Sequence, residues 1–217
     1  GDMQMDIEKF CYFSKAALAI LPVIGFQPDI IHCHDWQAGL VPVFLKTLFA
    51  GQDFYKDMKT IMTIHNLRFQ GMTGMDRLMD MTGLHSDLFT EDKMGSLGCG
   101  NMLKGGITYA DKVTTVSETY AQEIQTDYFG EKLDALLRYR KEDLVGIVNG
   151  IDYDAYNPAT DQQIACSYDP NTFLDGKKKN KVALQQETGL PENPDKFVIG
   201  IISRLTDQKG LDLIDRV

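Results

Sequence analysis

Five short stretches of the chain carry side chains able to do chemistry, and each follows an apolar run. The last of them is Phe197-Val-Ile-Gly-Ile-Ile-Ser-Arg-Leu-Thr-Asp-Gln-Lys-Gly-Leu-Asp-Leu-Ile. Its pattern predicts a buried strand from Phe197 to Ile202, a polar turn holding Arg204 and Lys209, and a helix starting near Gly210. Ligands of open α/β sheets bind at the carboxyl ends of the strands. Two cations there, beside a helix N-terminus with free N–H groups, form an anion site suited to a phosphate. A pair of solvated surface charges is the plainer alternative.

The first stretch is His32-Cys-His-Asp-Trp-Gln-Ala-Gly39. Four consecutive metal-ligating types invite a metal reading, but alternate residues of a strand face opposite ways. His32 and His34 can share a face that Cys33 cannot join, so no metal is expected. His34, Asp35 and Trp36 instead stand at the mouth of a strand. A carboxylate beside an indole suits a sugar hydroxyl and ring face, although Trp36 is equally explained as a core anchor. The second stretch, Thr63-Ile-His-Asn-Leu-Arg-Phe-Gln-Gly71, puts His65 and Asn66 at another strand end. In the third, Thr114-Thr-Val-Ser-Glu118, Ser117 reads as a helix cap. In the fourth, Val148-Asn-Gly-Ile-Asp152, Gly150 makes a tight turn and Asn149 faces a cleft. No G-x-G-x-x-G, Walker loop, zinc pair or G-x-S-x-G elbow is present.

These stretches need a parallel sheet to hold them, and strand-like and helix-like segments do alternate along the chain. Residues 6–25 read as a helix ended by Gly25, with Pro28 preventing its return. Strands are expected at 29–34, 59–64, 112–116 and 144–148. Helices are expected at 37–49, 97–109, 118–126 and 177–188, with an irregular Met- and Gly-rich region over 66–95. Periodicity fades between Ile151 and Asp175. The expected organisation is a Rossmann-like domain over 1–149, a crossing at 150–158, and the start of a second such domain over 159–217.

Composition narrows the partners. The 217 residues carry a net charge of −9, which argues against nucleic acid and anionic membrane, since both need a basic face. The four cysteines lie far apart, as free thiols in a reducing compartment do. Asp2, Asp6, Glu8 and Lys9 occupy the place of a signal peptide's apolar core. A soluble, cytoplasmic protein is expected.

In this order, the five stretches resemble those of bacterial glycogen synthases and plant starch synthases. The matching runs are Pro28-Asp-Ile-Ile-His-Cys-His-Asp-Trp-Gln-Ala-Gly-Leu, Thr63-Ile-His-Asn-Leu-Arg-Phe-Gln-Gly and Asn101-Met-Leu-Lys-Gly-Gly-Ile. Tyr109-Ala-Asp-Lys-Val-Thr-Thr-Val-Ser, Gly146-Ile-Val-Asn-Gly-Ile-Asp and Ser203-Arg-Leu-Thr-Asp-Gln-Lys-Gly-Leu-Asp complete the set. The resemblance covers nearly the whole chain, and its most specific piece is His-Asn-Leu-x-Phe-Gln-Gly.

The resemblance implies the two-domain GT-B glycosyltransferase architecture, here partial and truncated at both ends. It also implies retaining transfer of glucose from ADP-glucose to the non-reducing end of an α-1,4-glucan, without a metal or other cofactor. By it, Arg204 and Lys209 hold the donor phosphates, and His65 lies against the donor glucose. Asp35 stands beside donor and acceptor; Trp36, Asn66 and Asn149 belong to the sugar cleft. A plant version of such a protein would be plastidial. The family's opening Lys-Thr/Ser-Gly-Gly-Leu loop and its Glu-x-Cys-Gly loop are absent, so a fragment with little activity of its own is expected. A sucrose- or trehalose-type synthase and a non-catalytic glucan-binding domain are the alternatives. Gln208, where many relatives of the former kind carry Glu, speaks for the glucan synthase.

Overall fold

Residues 3–214 are described in this computed structural model, and they open on a helix of 21 residues. In this helix, α1 (Met3–Val23), Ile7, Cys11, Ser14 and Leu18 recur at helical spacing and are buried. Pro22 lies in its last turn and has no N–H to give the Leu18 carbonyl. The Tyr55 hydroxyl donates to that carbonyl instead, at 3.0 Å. Gly25, at φ 66°, closes the helix; its N–H donates to Pro22 O and that of Phe26 to Leu21 O. Pro28 follows, as the sequence led one to expect.

Three parallel strand pairings then build the sheet. β1 (Ile30–His34) leads through a 3₁₀ turn at Trp36–Ala38 into α2 (Leu40–Lys46), in place of one helix over 37–49. β2 (Lys59–Ile64) matches its expected span. Residues 66–95, expected to be irregular, contain β3 (Met72–Gly74), α3 (Met75–Thr82) and the start of β4 (Gly95–Ser96). β5 (Cys99–Asn101) pairs antiparallel with both β3 and β4, so α4 (Met102–Tyr109) starts later than the expected residue 97. β6 (Lys112–Thr115), α5 (Glu118–Glu123), α6 (Asp134–Tyr139) and β7 (Leu144–Gly146) complete this part.

The strand order β1-β2-β6-β7 is parallel throughout, which is the α/β class expected. Ile30 pairs with Lys59, Ile61 with Lys112 and Val113 with Leu144, so the carboxyl ends of all four strands open on one edge. The core lies where α2 and α4 cover the sheet, with Leu40, Val43, Phe44, Met62, Ile64, Leu103 and Ile107 fully buried. The two helices meet at glycines: a Cβ on Gly106 would stand 3.0 Å from Gly39 Cα.

A first compact unit ends at Asn149 and a second begins at Gly150, so residues 150–158 fall in the second. The second unit contains α7 (Phe173–Glu187), a 3₁₀ turn at Asp207–Lys209 and α8 (Leu211–Ile214). No strand occurs among its described residues. The buried strand expected over Phe197–Ile202 is therefore a correction: that run has no regular secondary structure and no strand partner among the described residues, with Phe197 89% and Ile199 75% exposed. An apolar run becomes a strand only beside a neighbour that satisfies its backbone, and the described residues supply none. The continuation of α8 toward Val217 lies outside the described residues.

Candidate active site

The carboxyl ends of β1 and β2 are tied together by two hydrogen bonds. The Asp35 N–H donates to Thr63 O at 2.9 Å, and the His65 N–H donates to Asp35 Oδ1 at 2.8 Å. To make the second bond, Asp35 adopts φ 53° and ψ −172°, a conformation that costs an L-residue about 1–3 kcal/mol and persists where its surroundings hold it. Asp35 and His65, singled out separately in the sequence, are thus direct partners.

Below them runs a column of imidazoles. β1 alternates as the sequence implied: Cys33 is buried in the core, and His32 and His34 share the opposite, exposed face. Burial pushes the Cys33 thiol up to about 12, so it stays protonated and inert. The His32 and His34 ring centroids lie 4.3 Å apart and those of His34 and His65 5.2 Å apart, with the rings tilted by 32° and 33°. His34 Nδ1 lies 3.0 Å from His65 Nε2. His32 Nε2 reaches Thr63 Oγ1 at 2.6 Å, which itself meets Thr114 Oγ1 at 2.6 Å. Partial desolvation of its otherwise exposed ring, then the neighbouring His32 and His65, hold the His34 imidazole below its usual value against the opposing pull of Asp35.

Asp35 also lines a cleft of about 280 Å³ with Asp6, Trp36, Gln37, Asn66 and Phe69. Trp36 contributes a wall but is mostly buried, edge-on to Phe10 at 5.2 Å. Gly71, at φ 62°, lies under the indole, and any Cβ there would overlap Trp36 Cε3. Asn66 accepts the Arg68 N–H at 3.0 Å, which turns the chain after β2. Phe69 also borders a second cleft of about 350 Å³, with Arg68, Gln70, Leu97, Glu131 and Lys132 among its lining. Among the described residues, the non-glycine residues with positive φ are Asp35, Leu97, Glu131 and Lys132, and each lines one of these two clefts.

With this geometry in view, comparison with known proteins is decisive. A family model described as the starch synthase catalytic domain matches residues 1–139. A glycogen synthase of Lachnospira eligens is 61% identical over 96% of this chain. The chain belongs to the glycogen and starch synthase family. A glycogen synthase of Lachnoclostridium phytofermentans is 54% identical over the whole chain. Among solved structures, the catalytic domain of starch synthase IV from Arabidopsis thaliana, bound to ADP and acarbose, superposes over the whole chain with a TM-score of 0.87 at 38% identity. The chain spans 44% of the Lachnospira protein and 44% of the Arabidopsis chain.

In this member of the synthase family, the remaining expected site residues belong to other segments of the chain, each described within its own unit. Asn149 ends the first unit, exposed, three residues after β7. Arg204 and Lys209 belong to the second unit and are exposed; the Lys209 N–H closes a turn on Thr206 O at 2.9 Å. The helix expected beside them is short among the described residues, Leu211–Ile214.

Several supports of the site went unnoticed in the sequence. Gln70 Nε2 donates to Glu131 O at 2.9 Å, and its Oε1 accepts from Asn101 Nδ2 at 2.6 Å. Asn101 in turn caps α4 by accepting the Lys104 N–H at 2.9 Å. The Tyr120 hydroxyl accepts the Leu67 N–H at 3.2 Å, and Ser117 caps α5 as expected, from the Tyr120 N–H. The Asn at the N-cap position of α4 was a readable signal. The positive φ angles of Glu131 and Lys132 left no mark in the sequence beyond the preceding Gly130.

Proposed function

We propose that this chain forms part of an enzyme that transfers glucose, with retention, from ADP-glucose to the non-reducing 4-hydroxyl of an α-1,4-glucan. The observation that carries this reading is the 61% identity to a glycogen synthase across nearly all of the chain. The Arabidopsis relative bound to ADP and acarbose supports both substrate classes, a nucleotide and a glucan-like oligosaccharide.

In this reading the bond from the anomeric carbon to the diphosphate breaks, and the diphosphate leaves with the electron pair. Arg204 and Lys209 stabilise the charge as it grows, which is the usual way fixed cations lower such a barrier, and no metal is required for it. The acceptor 4-hydroxyl bonds to the same face of the anomeric carbon and passes its proton to the oxygen of the departing diphosphate. His65, whose backbone N–H is held by the Asp35 carboxylate, lies against the donor glucose. Asp35, Trp36 and Asn66 line the cleft that takes sugar, and Asn149 stands near the phosphates. The setting is the cytoplasm of a bacterium.

The test is a chimera in which this chain replaces the matching segment of the Lachnospira eligens glycogen synthase. Incorporation of glucose into glycogen from ADP-glucose, ahead of UDP-glucose, is the expected result. Arg204→Ala in that chimera should lower turnover about a hundredfold or more with folding intact. Near-normal turnover in the folded variant would remove the phosphate assignment. Failure of the unaltered chimera with either donor would remove the glucan synthase reading and leave sucrose- or trehalose-type transfer, or simple glucan binding, to be assayed.

A further inference from the structure

The bond between His34 and His65 has a consequence for the site. Two imidazole nitrogens 3.0 Å apart share one proton, so one ring donates and the other accepts. Whichever donates, the partner's tautomer at that nitrogen is set by the bond. The His65 ring has its Nε2 committed in this way, which leaves Nδ1 as the ring nitrogen without a protein partner among the described residues, while its backbone N–H is held separately by Asp35.

His34 is itself held. Its ring centroid lies 4.3 Å from that of His32, and His32 is anchored on Thr63 Oγ1, which is bonded to Thr114 Oγ1. His32 and His34 are on β1, Thr63 on β2 and Thr114 on β6, so the column rests on three adjacent strands. Although His34 is largely exposed, desolvation of its ring among these neighbours is the strongest influence against its protonation, His32 and His65 add to it, and Asp35 opposes them.

We propose that His34 is a positioning residue for His65: through Nδ1 it fixes the tautomer and ring setting of His65 and presents His65 Nδ1 to the donor sugar. The sugar clause rests on the glucan synthase reading above; the pairing itself does not. His34 does not touch the reacting atoms in this account. It acts only through its neighbour.

Two measurements decide it. In the chain itself, long-range ¹H–¹⁵N spectra report which nitrogen of each histidine carries a proton. One defined tautomer at His65 is expected, becoming a mixture in His34→Ala and returning to one form in His34→Asn, whose amide lies where Nδ1 was. His34 is exposed, so both variants should fold. In the chimeric synthase, His34→Ala should lower kcat about tenfold to a hundredfold with little change in the KM for ADP-glucose, and His34→Asn should recover most of it. An unchanged His65 tautomer in folded His34→Ala, or unchanged kcat, would overturn the proposal. If the unaltered chimera transfers no glucose, the function is wrong, and the spectra alone still decide the pairing.

Discussion

Asp35 shows what a single residue gives up to serve the site. Its backbone sits at φ 53°, where glycine would be at ease, yet glycine has no carboxylate to hold the His65 N–H. Gly71 shows the reverse constraint. There the left-handed φ of 62° and the Trp36 ring both forbid a side chain. Gly71→Ala should therefore cost about 2–4 kcal/mol, read by urea denaturation with the single tryptophan as the probe. A cost below about 0.5 kcal/mol would show that the indole moves aside freely. Neither constraint can be seen in the sequence, because each depends on a contact between strand ends some thirty residues apart.

At the scale of elements, Lys104 joins α4 to the loop before β4. Its nearly buried ammonium donates to Glu91 O and Gly95 O, both at 2.6 Å, with the Glu91 carboxylate at 3.6 Å. Lys104→Met keeps the stem but orphans two carbonyls, an expected loss of about 2–4 kcal/mol. Limited proteolysis near Leu97–Gly98 should accelerate along with it; equal cleavage in variant and parent would show the loop is held otherwise.

These elements also show what the sequence could and could not reveal. β2, β6 and the Ser117 cap were legible because their signals are local: an apolar run, an alternation, a hydroxyl before a helix. β5 was read as the start of α4 because its identity comes from Met72–Gly74, a partner distant in sequence. Phe197–Ile202 failed the other way, since its composition is that of a strand but no partner is present among the described residues. The pairing of Asp35 with His65 depended on the register of β1 and β2, which no motif spells out.

Across the whole molecule, order is unevenly distributed. The buried apolar side chains among the described residues belong to the first unit, whereas in the second Phe197, Ile199, Ile202 and Leu205 remain largely exposed. Amide exchange should divide accordingly, with β2, β6 and α4 strongly protected and residues 197–205 exchanging at close to the rate of an unstructured peptide. Protection across that run in a dilute sample would mean that it finds a partner, within the chain or in a second copy. No helix among the described residues is long and apolar enough to cross a membrane.

The break after Asn149 also has a meaning in time. A ribosome adding about 5–20 residues per second needs some 3–14 s to make residues 150–217. That exceeds the millisecond-to-second folding times usual for mixed α/β domains. Protease challenge of nascent chains stalled between residues 150 and 217 should find the first unit already resistant. Asp35 would then already hold His65 while Arg204 is still being added to the chain.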